Sequence, residues 1–187
     1  SLERGENLKP ISPVLTKPDV SGNVPYGTIT TIAESRQTFG ILYAGTDDGR
    51  IHMTPDGGFT WKEIGNYLPR HLWCSRIETS HFKDGRVYMS LTGYRNDDFR
   101  TYLYKSEDFG KTWESIKTNL PDESVNVIRE DPVNEDILYV GTDMGVFVSL
   151  NRGQSWEVLQ NGIPISPAHD LVIHPRDSDL VVGTHGR

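Results

Sequence analysis

The feature that most limits what this chain can fold into is an internal repeat: Ile32 to Gly49 lies on Ile128 to Gly145 without a gap, with about half the positions identical. A chain that repeats itself at such a distance is assembled from one supersecondary unit used several times. The shared core is Ile-Leu-Tyr-x-Gly-Thr-Asp-x-Gly, present as Ile41 to Gly49 and as Ile137 to Gly145. A shorter echo, Leu180-Val181-Val182-Gly183-Thr184-His185-Gly186, closes the sequence.

A second signature recurs between these cores. Thr54 to Trp61, Ser106 to Trp113 and Ser149 to Trp156 all follow Ser/Thr-x-Asp-x-Gly-x-Thr/Ser-Trp, with Asn151 in the acidic place of the third copy. A degraded copy, Ser1-Leu2-Glu3-Arg4-Gly5-Glu6-Asn7-Leu8, keeps the serine, an acid and the glycine. The three tryptophans are 52 and 43 residues apart, and Leu8 precedes Trp61 by 53. Those periods fit one four-stranded propeller blade per repeat. Each residue type suits a tight hairpin: the carboxylate or amide oxygen accepts backbone N–H bonds across its turn, glycine takes positive φ, and tryptophan plugs the hairpin onto the blade. Asp56, Gly58, Trp61, Asp108, Gly110, Trp113, Asn151, Gly153 and Trp156 are therefore read as structural.

Eighteen glycines and eleven prolines, set among short Val/Ile/Tyr/Thr-rich runs, agree with many short strands and tight turns, and helix signals are nearly absent. The expected fold is all-β, a partial propeller over residues 1–187. Blades are read at about 28–65, 74–117 and 125–160, with partial blades at 1–12 and 168–187. In each blade an inner strand and two middle strands precede the hairpin, and an outer strand starts at its tryptophan. Gly93 to Arg100 reads as a loop inserted between the middle strands of the second blade. Asn66-Tyr67-Leu68-Pro69, Asn119-Leu120-Pro121 and Asn161-Gly162-Ile163-Pro164 read as linkers to the next blade. The ends fall inside blades, so the remaining blades of a larger propeller, or another chain, are expected partners. A small closed ring, with Leu8 to Ser12 joining the strands at His169 to Ile173 and Leu180 to Gly183, is the alternative.

The formal charge of −7, with acids and bases interspersed, offers no basic stripe for a phosphate backbone, so nucleic acid is not an expected partner. No run reaches the roughly 18 apolar residues of a membrane span. Cys74, the single cysteine, sits in the apolar stretch Leu72-Trp73-Cys74-Ser75 and reads as a buried thiol. No Gly-rich loop opens a helix and no Gly-x-Ser-x-Gly occurs, which argues against a phosphate cradle and a serine nucleophile.

The hairpin signatures, the Leu-Tyr-x-Gly-Thr strands, Tyr94 to Phe99, Val127 to Pro132 and Gly183 to Arg187 together resemble the BNR/Asp-box propellers of the sortilin N-terminal, glycosyl-hydrolase-like type. The likeness covers nearly the whole chain. It implies an exported protein, secreted, periplasmic or at the cell surface, and no proven activity. In sialidases and xyloglucanases, which share the Asp-box, the hairpin is peripheral and the catalytic groups lie elsewhere.

Glycoside hydrolysis needs two carboxylates about 5 to 10 Å apart across a cleft. Glu34, Glu78, Glu130 and Asp131 lie at or just after the expected inner strands and are the candidates; hydrogen bonding to loop backbone is the competing role. A sialidase would also need converging arginines, for which Arg76, Arg95 and Arg129 are available. Tyr94, Arg95, Asp97, Asp98 and Arg100 of the inserted loop are candidate ligand contacts on a propeller face, against the alternative of a self-contained salt-bridged loop. His169, Asp170, His174 and His185 lack convergent spacing, and Asp47-Asp48-Gly49 lacks the further acids of a calcium loop, so no metal and no cofactor is expected. The expected function is a propeller scaffold or binding module whose ligand is a protein, peptide or glycan. The alternatives are part of a glycoside hydrolase with carboxylate acid/base catalysis and a structural subunit of a larger assembly.

Overall fold

A computed structural model describes residues 6–17, 27–160, 162 and 165–185. Ser1 to Gly5 of the degraded hairpin copy, most of the third linker and Gly186-Arg187 lie outside the described residues. Among the described residues fourteen strands form in chain order. The first sheet is β1 (Ile29–Glu34), β2 (Leu42–Thr46), β3 (Ile51–Thr54) and β4 (Lys62–Ile64); the second is β5 (Trp73–Thr79), β6 (Val87–Gly93), β7 (Asp98–Ser106) and β8 (Glu114–Ser115). The third is β9 (Val125–Glu130), β10 (Leu138–Thr142), β11 (Gly145–Ser149) and β12 (Glu157–Val158), followed by the pair β13 (Ala168–Ile173) and β14 (Leu180–Thr184). Every sheet is an antiparallel meander in sequence order. Among the described residues the one helical element is the 3-10 turn Tyr94–Asn96.

The sheets stack face to face, and their side-chain alternation builds a core between each pair. Tyr43 and Ile51 of the first sheet pack with Ile77, Met89 and Leu91 of the second. Tyr88, Leu103 and Ile116 of the second pack with Ile128, Val140 and Trp156 of the third, and Val127 and Val146 of the third meet Ala168 and Leu171. β6 is buried along its full length, as expected of a middle strand covered on both faces.

Two repeated devices bring neighbouring inner strands together. The glycine of Leu-Tyr-x-Gly-Thr leaves space for the next sheet: a Cβ on Gly45 would collide with the Cys74 thiol, and one on Gly141 with Ala168. Each inner strand also carries a register shift near its start, a bulge that re-aims one side chain. In the first two sheets the extra residue is a hydroxyl that bridges to the next inner strand: Thr30 donates to Cys74 O and Ser75 to Val125 O, both at 2.6 Å.

Three sequence expectations are corrected. The insertion is half strand, since β6 runs to Gly93, β7 begins at Asp98, and Gly93 pairs with Asp98, which leaves Tyr94 to Asp97 as the turn. The outer strands start after their tryptophans, because the Trp113 N–H is taken by the Tyr67 hydroxyl and the Trp156 N–H by Asn119 Oδ1. Leu8 to Ser12 does not pair with β13 or β14; Ile11 lies under the hairpin of the first sheet, where its carbonyl accepts the Trp61 indole N–H at 2.8 Å.

Candidate ligand-binding face

The three hairpins share one hydrogen-bond pattern. Thr54, Ser106 and Ser149 donate their hydroxyls to Asp56, Asp108 and Asn151 at 2.8 to 2.9 Å, and accept the Gly58, Gly110 and Gly153 N–H groups at 2.8 to 2.9 Å. Asp56 also accepts the Thr60 N–H and hydroxyl, and Asp108 those of Thr112. Asn151 accepts the Ser155 N–H through Oδ1, and its amide donates to the Ser155 hydroxyl. Hydrogen bonds from Thr60 lower Asp56 to a pKa of about 2, so the group is ionised and no proton donor near neutrality. The three glycines take φ of +104°, +80° and +84°. Each hairpin is tied to its own sheet by Gly57 N to Gly40 O, Phe109 N to Gly85 O, or Arg152 N to Asp136 O. Each also rests on the segment that precedes its blade, at Ile11, Ile64 and Ile116, where a Cβ on Gly58 or Gly110 would collide and one on Gly153 would be crowded at 3.1 Å.

The inner strands define a different surface. Register places Ala33, Glu78, Arg129 and Val172 at equivalent positions, each one residue before the end of its inner-strand pairing or opposite the same middle-strand site. Glu78 and Arg129 border a cleft of about 590 Å³, together with Arg36, Arg76 and His81. Across it runs a ladder of alternating charge drawn from three blades and the β13–β14 pair. Arg36 donates to Glu78 at 3.2 Å, Arg129 to the other Glu78 oxygen at 2.8 Å, Arg129 to Asp170 Oδ1 at 2.9 Å, and Arg76 to the same Oδ1 at 3.0 Å. The Leu171 carbonyl fixes Arg129 through Nε at 2.7 Å, while Arg76 Nε is buried without a partner. Burial, with the Arg129 guanidinium second, pulls the Arg76 pKa below its ordinary value. Burial and then Arg36 do the same to His81, which keeps it neutral at pH 7.

The four candidate acids separate on this frame. Glu34 accepts the Gly40 N–H at 3.1 Å, closing its own turn. Asp131 accepts the Val133 and Asn134 N–H groups at 2.8 and 2.9 Å, an Asx turn. Glu130 is fully buried and accepts from the Ser80 hydroxyl, the His81 N–H and the Tyr88 hydroxyl; burial raises its pKa. Glu78 alone joins the ladder in the cleft. Arg76 and Arg129 converge on Asp170, whereas Arg95 lies 3.8 Å over the Trp73 ring, away from both.

The other candidate contacts are largely engaged with one another. Asp98 holds Arg100 through both oxygens at 2.9 and 2.7 Å and accepts the Tyr102 hydroxyl at 2.8 Å, interactions that push its pKa far down. Asp97 is the left-handed residue that ends the 3-10 turn, and Tyr94 is half-exposed. Sequence reasoning missed Arg36 and His81, and it did not connect Asp170 with the arginines. The useful signal was the strand register, which aligns Arg129 with Ala33; Arg36 follows β1 and lies opposite Pro132 in the repeat, which gives no hint of its charge.

Four-stranded antiparallel sheets stacked around one inner-strand face define a β-propeller. Residues 101–187 match the family model for sortilin, neurotensin receptor 3. The chain is 31% identical over 110 residues to a probable oligoxyloglucan-reducing end-specific xyloglucanase of Neosartorya fischeri, covering 55% of this chain and 12% of that one. It is 27% identical over 112 residues to vacuolar protein sorting/targeting protein 10 of Kluyveromyces lactis, covering 53% and 7%. This chain is thus a β-propeller that resembles sortilin-type and glycosyl-hydrolase propellers, spanning a small part of the length of the curated relatives it matches. Among solved structures, the GH74 enzyme of Niastella koreensis superposes with a TM-score of 0.65 at 16% identity over 83% of this chain and 26% of that one. YCF48 bound to D1 peptide gives 0.63 at 18% identity over 85% and 48%.

Proposed function

We propose that this chain is a binding part of an exported propeller protein, that its three hairpins are Asp-boxes of the BNR type, and that its inner-strand cleft takes an anionic group of a protein, peptide or glycan ligand. The observation that carries this reading is the fork made by Arg76 and Arg129. Both guanidinium groups already grip one carboxylate oxygen, that of Asp170, whose side chain is half-exposed. Guanidinium groups recognise carboxylates by such charge-assisted hydrogen bonds, so a ligand carboxylate that displaces Asp170 would meet two donors already converging on one point. Glu130 and Asp131 are committed to protein donors and Glu34 has one oxygen on the Gly40 N–H, which weighs against an acid/base pair on this face.

The test compares acidic peptides and uronate-bearing oligosaccharides with their uncharged counterparts, using the wild-type chain and the Arg76→Gln/Arg129→Gln variant. Preference for the acidic probes, lost in the variant with its thermal transition retained, is expected. Equal binding of charged and uncharged probes would overturn the anion reading. The hydrolase alternative has in its favour that Glu78, with Glu34 and Glu130, lines the same cleft. Release of product from xyloglucan oligosaccharides by the wild type and not by Glu78→Gln would install that reading instead.

A further inference from the structure

The charge ladder has a fixed half and a releasable half. Register places Thr31, Arg76, Val127 and Asp170 at one position of successive inner strands, with Glu78 and Arg129 two residues further along theirs. Glu78 is only 6% exposed, and its two oxygens are divided between Arg36 and Arg129. Arg129 is anchored independently of Asp170, through Nη1 on Glu78 and Nε on the Leu171 carbonyl. That half of the ladder keeps its place whatever happens at the other end.

Asp170 is held less completely. Its side chain is 52% exposed, and the residue opposite it on β14 is Gly183, which has no side chain to brace it. Val172, two residues on, lines the cleft, whereas Asp170 reaches the arginines from its edge. Oδ1 takes Arg76 Nη2, Arg129 Nη2 and the Leu171 N–H at 2.9 to 3.0 Å. With these donors on one oxygen, Arg76 Nε stays buried without a partner, so the internal carboxylate does not make the paired two-oxygen contact that a carboxylate free to align makes with a guanidinium. A buried donor left unmet is a standing cost of the closed arrangement.

We propose that Asp170 is a built-in competitor at the anion site: it closes the fork of Arg76 and Arg129 in the empty protein and swings out to solvent when a ligand carboxylate takes its place. The proposal rests on the anion-binding reading and adds what sets affinity and selectivity there. A carboxylate tethered on β13 acts at a high effective concentration. A ligand therefore binds only through the fraction of molecules in which the fork is open, and its apparent affinity falls by that fraction. Once Asp170 has left, Arg76 offers Nε as well as Nη2. The fork then favours ligands that present two oxygens, an acidic side chain or a uronate, over a halide, which brings a single contact.

The experiment titrates the whole chain by calorimetry with an acidic peptide and with its counterpart carrying glutamine in place of glutamate. Asp170→Asn keeps an acceptor for the Leu171 N–H and removes the charge. It should bind the acidic peptide about tenfold more tightly than the wild type does, and the uncharged peptide no differently. The gain should vanish in the Arg76→Gln/Arg129→Gln background. Asp177→Asn removes the same charge from the exposed turn where Asp177 pairs with Arg176, and should change affinity less than about twofold. Equal or weaker binding by Asp170→Asn, with the wild type still preferring the acidic peptide, would overturn the competitor and leave the anion reading standing. No acidic preference in either chain would remove both. A gain matched by Asp177→Asn would be an effect of net charge and would also overturn the proposal. In the wild type, where no variant has to fold, the Asp170 carboxylate carbon resonance should move as the acidic peptide saturates; a resonance that stays put would sink the idea equally.

Discussion

The hairpin joints and the inner-strand cleft are carried by the same repeat, yet they use it in opposite ways. At the joints, Asp56, Asp108 and Asn151 occupy one geometry three times over, and even the change from carboxylate to amide leaves the bonds to the flanking hydroxyl and N–H in place. On the inner face, one register position holds Ala33, Glu78, Arg129 and Val172 in successive sheets. Uniformity at the joints keeps the sheets in step. Divergence at the inner positions lets side chains of different charge meet across blades, and the ladder from Arg36 to Arg76 exists only because the repeat is broken there.

The contrast is most exposed to failure at Trp156, which is 3% exposed and donates to Ile116 O. Trp156→Ala should cost about 3–5 kcal/mol in chemical denaturation, the range for a large aromatic removed from a core, while any ligand affinity of the folded fraction stays unchanged. A loss of affinity without loss of stability would put the hairpin in the binding site and collapse the distinction.

A smaller effect should come from Glu130, which lies between the two regions, buried where the third inner strand meets the second sheet. Burial raises its folded pKa above the unfolded value. Its contribution is therefore full below the ordinary glutamate pKa and declines as pH rises through the raised folded value. Denaturation midpoints of the wild type should fall across that window relative to Glu130→Gln, whose amide does not titrate. Parallel pH profiles would show that the bonds from Ser80, His81 and Tyr88 offset burial completely.

The smallest change is expected for Asn151→Asp, within about 0.5 kcal/mol of wild type. The Ser155 hydroxyl can donate to the new carboxylate as Thr60 and Thr112 donate to Asp56 and Asp108. A large loss would mean that the third hairpin is not interchangeable with the first two.

Much of the fold was legible because its determinants are local. Thr54 to Trp61 specifies its hairpin through side chains that bond backbone no more than four residues away, so the pattern can be read without knowing the rest of the chain. The inserted segment was read as a loop throughout because of its polarity, whereas only Tyr94 to Asp97 leave the two strands. Asp98, Arg100 and Tyr102 satisfy one another along an extended strand, and polarity alone does not distinguish that from a turn. The candidate acids fall at or just after inner strands, and Glu34 and Asp131 serve their own turns.

Sequence alone determined the blade unit, the hairpins that close it and the residue types available to the inner strands, since hydrogen-bond patterns spanning two to four residues are written in adjacent letters. Tertiary structure decided which of those residues meet. Arg129 reaches Glu78 across 51 positions and Asp170 across 41. Arg76 reaches Asp170 across 94. Those contacts depend on the stacking and twist of successive sheets, set by packing at Gly45, Gly141 and the bulges, and no spacing in the chain encodes them directly.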